Sequence, residues 1–315
     1  MHYYSRMTTL IATSIVRGSK QGESHGGVYL VDLDGERARQ VIDWDATDID
    51  WRGRGGDRGL RGIAFDEERV FIAASDELFV YNSSFEQLAS YRCRYLQHCH
   101  EIARYKRRLY LTSTGFDSIV GFDLDGNRFS FGLHITRDRK GLRAAPFQPD
   151  GRRGPEPGNE LHLNSVCCDA SAMYLSGLRT GGLHAYTGRY IRQVAMLPAE
   201  THNARPHQDG VLFNDTGKNL VRFVPVEGEQ KAFRIPVYNP ALLTHTDLAD
   251  SRVARQGFAR GLCLIDDSMI AAGSSPSTIT LHDLDSLQTR LSINLCMDVR
   301  TAIHGLEVWP FDELL

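Results

Sequence analysis

The chain has 315 residues, with 36 Lys and Arg against 39 Asp and Glu and a formal net charge of -3 at neutral pH. That balance gives no electrostatic reason to expect nucleic acid or an anionic membrane surface as a partner. A hydrophobic content of 42% with 24% charged residues is ordinary for a globular chain, and no apolar run approaches the length of a membrane span.

The N-terminal MHYYSRMTTL lacks the apolar core of a secretory signal, and Met7 is a second candidate start. Short alternating runs rich in Val, Ile, Leu, Tyr and Phe follow, punctuated by Gly, Asp and Ser, and helical periodicity is almost absent. One block returns six times in chain order. It reads LIATSIV…GGVYLVDLDG (10–35), VFIAASDELFVYNSS (70–84), LYLTSTGFDSIVGFDLDG (109–126), MYLSGLRTGGLHAYTG (173–188), LFNDTGKNLVRFVPVEG (212–228) and MIAAGSSPSTITLHDLDS (269–286). Units of four strands and roughly 40–50 residues are the signature of propeller blades.

Ahead of most blocks lies a further strand: RGIAF from Arg61, HEIAR from His100, NSVCC from Asn164 and RGLCL from Arg260. The first block has no room for one, and its missing partner is HGLEVW, from His304. The expected architecture is an all-β, six-bladed β-propeller over 1–315, a single domain whose C-terminal strand closes the N-terminal blade and removes the free edges. Three insertions, 44–59, 134–160 and 236–257, emerge on one face of the disc and suit lids or binding walls. The middle one, with four of the 11 prolines, reads as a structured loop without a core.

The strands ahead of the blocks line the channel. Taking Phe71, Tyr110, Tyr174, Phe213 and Ile270 as fixed markers and counting back puts His98, His162 and His202 in an upper tier. Two residues further along each strand, a lower tier holds Arg61, His100, Asn164, Ala204 and Arg260, with His304 joining it. Converging imidazoles suit Fe, Mn, Zn, Cu or Ni, and propeller enzymes place His-ligated metals at this spot. Arg61 and Arg260 suit a carboxylate, phosphate or sulfate. No carboxylate falls in either tier; a 2-His-1-carboxylate site would need Asp209, Glu101, Asp45 or Asp48. A water-filled channel, or a metal-free pocket with His as acid or base, fits the same residues. His207 is expected in an exposed turn. Six cysteines show no CxxC pair, and neighbouring Cys167 and Cys168 point to opposite faces, which fits reduced thiols in the cytoplasm.

LHLNSV (161–166), HNARPHQDG (202–210), GFARGLCL (257–264) and HEIA (100–103) resemble a bacterial propeller family labelled domain of unknown function 4915, some members of which accompany tetratricopeptide modules. Its blocks are HLNG, PHSPR…DG, GFTRGLAF and HDLA, and the resemblance runs from about His98 onward. It implies the same fold and pocket positions at His100, His162, Asn164, His202, Arg205 and Arg260. Asn203, Ala204, Ser165, Ala302 and His304 depart from the family pattern, and no reaction comes with it.

The expected object is thus an enzyme acting on a small anionic molecule. Its mononuclear metal is held by His98 or His100 with His162 and His202, and His304 is a further candidate ligand. His100, His304 and Asn164 act catalytically, and Arg61, Arg205 and Arg260 orient the substrate. Oxygenase, lyase, hydrolase and isomerase chemistry all remain open. A metal-free ligand pocket and a non-catalytic scaffold for protein or glycan are the alternatives.

Overall fold

The computed structural model describes residues 8–47, 49, 59–246 and 255–311. The chain is all-β and forms a six-bladed propeller of antiparallel sheets, five of four strands and one of five. The inner strands, in order round the axis, are Thr301–Val308, Ile63–Asp66, Ile102–Tyr105, Leu163–Cys168, Thr201–His207 and Leu262–Leu264; the blades are numbered one to six in that order.

Burial falls radially outward. The second strand of blade one, Thr9–Val16, is buried at every position, because neighbouring blades cover both its faces. The outer strand Arg37–Asp43 is almost wholly exposed. This explains why the second strands read as near-continuous apolar runs and the outer ones as polar. The hairpin turns are set by acidic residues. Asp123 accepts from the backbone N–H groups of Asp125 and Gly126, and Asp283 from those of Asp285 and Ser286, the Asx geometry that Asp favours in turns.

Thr301–Val308 pairs antiparallel with Thr9–Val16, with Leu10 opposite Val308 and Val16 opposite Thr301. The tail strand therefore completes the first blade. Beyond it, Trp309 donates its backbone N–H to Thr9 O at 2.8 Å. Its indole stacks on Phe85 at 5.2 Å and meets Phe65 and Phe311 edge-on.

Successive blades are latched by short polar side chains reaching carbonyl or amide groups of the next inner segment. Thr13 Oγ1 donates to Arg61 O and accepts from Gly305 N. Ser75 Oγ accepts from His98 N at 2.9 Å, and Thr114 Oγ1 donates to Leu163 O. Asn164 Nδ2 donates to Thr201 O at 3.0 Å, Thr216 Oγ1 to Ala259 O at 2.7 Å, and Ser275 Oγ to Thr301 O at 2.7 Å. The ring is thus closed blade by blade. The approach is close enough that a Cβ at Gly305 would lie 2.1 Å from Arg61 O.

Insertion 134–160 departs from expectation. Arg128–Asp138 is the longest strand, and it turns back to pair with Gly141–Phe147 as a fifth strand of blade three. The segment is not without a core: Ile135 is buried, and Phe147 packs edge-on against Tyr95 at 5.0 Å. Much of 44–59 and 236–257, including Asp48, lies outside the described residues. Among the described residues no helix is long and apolar enough to cross a membrane.

Truncating the closing aromatic should loosen the whole ring. Trp309→Ala is expected to cost about 3–5 kcal/mol in denaturant unfolding, whereas a cost below about 1 kcal/mol would mean that the tail is not part of the cooperative unit.

Candidate functional site

Every blade supplies at least one long polar side chain to a common region of the channel, among them His304, Arg61, His100, His162, His202 and Arg260. His100 sits among the other imidazoles, with ring centroids 5.4 Å from His162, 5.5 Å from His304 and 6.3 Å from His202. Arg260 Nη1 lies 2.8 Å from His304 Nε2. Arg61, His202 and His304 are buried at 4%, 3% and 4% exposure. His100, His162 and Arg260 are half-buried.

The two-tier division expected from the sequence is replaced by this common region. His98 has a positive φ of 54°, is half-buried and is close enough to His162 to lower its basicity, and its carbonyl accepts from His100 Nδ1 at 2.7 Å. It supports His100, whose ring makes the contacts with the other imidazoles. Asn164, 1% exposed, is fully engaged, donating to Thr201 O and accepting from Ser165 Oγ. Its amide latches blades four and five. Arg205 belongs to a different charge group, with Glu101 and Glu307. His207 is buried, not in an exposed turn, and its Nε2 lies 3.1 Å from Asp267 O.

The blade latches fix the imidazole tautomers. Thr216 donates its one hydroxyl proton to Ala259 O, so it can only accept from His202 Nδ1 at 2.9 Å; Glu200 O, at 3.2 Å, can also only accept. His202 therefore carries its proton on Nδ1, and its buried Nε2 is a lone pair with no partner. His100 follows the same logic, with Nδ1 against His98 O and Thr114 Oγ1, whose proton goes to Leu163 O. His162 Nδ1 lies 3.0 Å from Asn159 Oδ1, which also accepts from Arg179. His304 Nε2 accepts from Arg260, because a guanidinium can only donate.

Two residues that sequence reasoning missed complete the site. Arg17, just past Thr9–Val16, holds its guanidinium 4.4 Å from the Phe258 ring, and both its Nη atoms are buried without a hydrogen-bond partner. Arg255 and Arg260 lie over the same ring at 4.2 and 5.7 Å. Burial, with Arg255 and Arg61 nearby, pulls Arg17 down to about 10. Burial, then Arg17, Arg61 and Arg255, lowers Arg260 as well. Neither Arg17 nor Arg260 makes an ion pair among the described residues.

The imidazoles respond in the same way. Burial, then Arg61 and His162, pushes His100 well below its ordinary range. Burial and Arg260 do the same to His202 and His304 and take His162 down to about 3. At neutral pH these groups are uncharged bases beside charged guanidiniums. The charge set repels a cation, and among the described residues no three His, Cys, Asp or Glu are arranged to hold a metal ion. An ion held by His98 or His100 with His162 and His202 would sit against that repulsion.

Further along the inner strands, burial raises Glu101 and Glu307 to about 7 despite the attraction of Arg205. Glu101 accepts from Val166 N at 2.9 Å and Asn203 Nδ2 at 3.2 Å.

No protein-family model and no curated protein matches the chain. Among solved structures it is similar to a chain of a nidogen/laminin complex, at 11% identity and a TM-score of 0.59, over 96% of this chain and 98% of that one. Apo AztD from Citrobacter koseri aligns at 10% identity over 96% of this chain and 98% of that one, with a TM-score of 0.49. The first likeness supports the fold alone.

These shifts set a pH dependence. Unfolded imidazoles titrate near 6.5 and the native ones far lower, so the unfolded chain binds more protons between those limits. Their stabilisation is present above pH 6.5 and is lost as pH falls toward 3. Glu101 and Glu307, raised from 4.5 to about 7, act oppositely: their contribution is present below 4.5 and is lost as pH rises through 7. Four imidazoles outnumber two carboxylates in the shared window. Unfolding free energy should fall between pH 6.5 and 5, and His202→Gln should flatten that slope; an unchanged slope would contradict the lowered proton affinity of the buried His202.

Proposed function

We propose that the channel level formed by Arg17, Arg61, Arg260 and the four imidazoles binds a small anionic molecule, and that the neutral imidazoles serve as bases toward it. The observation that carries this reading is Arg17, whose two Nη atoms are buried and unpartnered beside Arg61 and the like-charged Arg260. An unpaired buried charge costs several kcal/mol, and a bound anion would offset that cost through charge-assisted hydrogen bonds.

The chemistry available is acid–base. His100 and His202 each have Nδ1–H anchored to a carbonyl and a threonine, which leaves Nε2 free to take a proton. The adjacent guanidiniums oppose the imidazolium that would form, and they stabilise negative charge developing on the ligand. His304, bound to Arg260, is a positioning residue that orients the guanidinium. The fifth strand of blade three lies at the outer edge of its sheet, away from the axis, and is not part of this site.

Arg17→Gln separates binding from folding. Calorimetric titration of the full chain with inorganic phosphate should show binding, weakened by about ten- to a hundredfold in the variant. The ligand-free variant should melt at a higher temperature, because a repelled buried charge has gone. Absence of binding by phosphate and carboxylate ligands alike, or equal affinity in the two proteins, would overturn the reading.

A further inference from the structure

We infer that the anion taken by this site is polyhydroxylated: a carbon chain bearing one acidic group and vicinal hydroxyls, as in a sugar acid or sugar phosphate. The inference rests on the anion reading above and goes on to specify the rest of the ligand.

A carboxylate offers only acceptors, and inorganic phosphate at neutral pH has at most two O–H donors for three imidazoles; their anionic oxygens suit Arg17 and Arg260. The opposite requirement comes from the imidazoles. His202 Nε2 is a buried lone pair with no donor, and its tautomer is fixed by Thr216 and Glu200. His100 and His162 likewise have Nδ1 turned to acceptors, which leaves Nε2 as a lone pair in each. Among the described residues neither Nε2 has a hydrogen-bond donor. A ligand with acceptors alone would set lone pair against lone pair at all three. A metal ion or an ammonium group would answer the lone pairs but meets the repulsion of Arg17, Arg61 and Arg260. Neutral O–H donors satisfy both demands. The rings of His162 and His202 lie 5.4 and 6.3 Å from that of His100, so hydroxyls on neighbouring carbons of one skeleton can reach separate imidazoles.

The reading predicts discrimination between ligands that share an acidic group and differ in hydroxyls. Calorimetric titration of the full chain at neutral pH would compare gluconate with hexanoate, six-carbon monocarboxylates with and without hydroxyls. Inorganic phosphate serves as a third titrant, and glucose 6-phosphate tests the phosphorylated source. Gluconate should bind at least about tenfold more tightly than hexanoate, as expected for one or more added hydrogen bonds. His162→Phe, which removes one acceptor, should bring the ratio toward one, and His162→Gln, which keeps an amide acceptor, should restore part of it. If glucose 6-phosphate alone among the hydroxylated probes shows the preference over phosphate, the acidic group is a phosphate and the inference holds.

Phosphate binding without any preference for the hydroxylated probes would overturn this inference and leave the anion reading standing. No binding of phosphate, gluconate or glucose 6-phosphate would sink both. Tight binding of Mn²⁺ or Zn²⁺ in competition with gluconate would also overturn it, by assigning the lone pairs to an ion.

Discussion

The structure depends on the ring of short hydroxyl and amide side chains that ties each blade to the next. Thr13, Ser75, Thr114, Asn164, Thr216 and Ser275 sit at the channel end of their blades and bond the neighbouring inner segment. Sheet hydrogen bonds hold each blade internally, but they do nothing between blades. Apolar packing between blades is non-directional, so it does not by itself fix how one inner strand stands against the next. The latches do, and all six are directional. Because Thr114 and Thr216 spend their protons on carbonyls, they also decide which nitrogen of His100 and His202 is protonated. One set of contacts closes the toroid and sets the chemistry of its axis.

That dual role makes the channel unusual in charge. Inward-facing guanidiniums from blades one, two and six converge, and among the described residues Arg17 and Arg260 make no ion pair, while Glu101 and Glu307 sit further along with Arg205. The two groups are segregated along the channel instead of neutralising each other. Burial raises the proton affinity of the carboxylates and lowers that of the imidazoles, so at neutral pH the imidazole level is positive only through its arginines. Such a level is suited to a ligand that brings its own negative charge.

Much of this was legible in the sequence. The six returning blocks and the absence of an inner strand ahead of residue 10 lead to the closure by residues 301–308, because a blade lacking one strand must borrow it. His162, His202, His100, Arg61, Arg260 and His304 were all found as channel residues. Their levels were not. Counting back from a marker assumes regular pairing, but the inner strands of blades four and five contain bulges between Leu163 and Ser165 and between His202 and Arg205. Each bulge adds backbone that a fixed count cannot see, which is why His98 was grouped with His162 and His202. Arg17 follows a second strand, not an inner one, so the spacing of the inner strands does not point to it. Nothing in the spacing of Phe258 shows three guanidiniums meeting over its ring. Arg205 and Asn164 had the right residue types, but their hydrogen bonds and charge partners are tertiary facts.

The most direct test of the central claim is anomalous diffraction at the selenium edge from crystals of the full chain grown with selenate, a heavy-atom analogue of sulfate. The account predicts one strong peak on the propeller axis within hydrogen-bonding distance of the Arg17 and Arg260 guanidiniums. An axis empty of selenium, with anomalous density only at surface arginines, would contradict it.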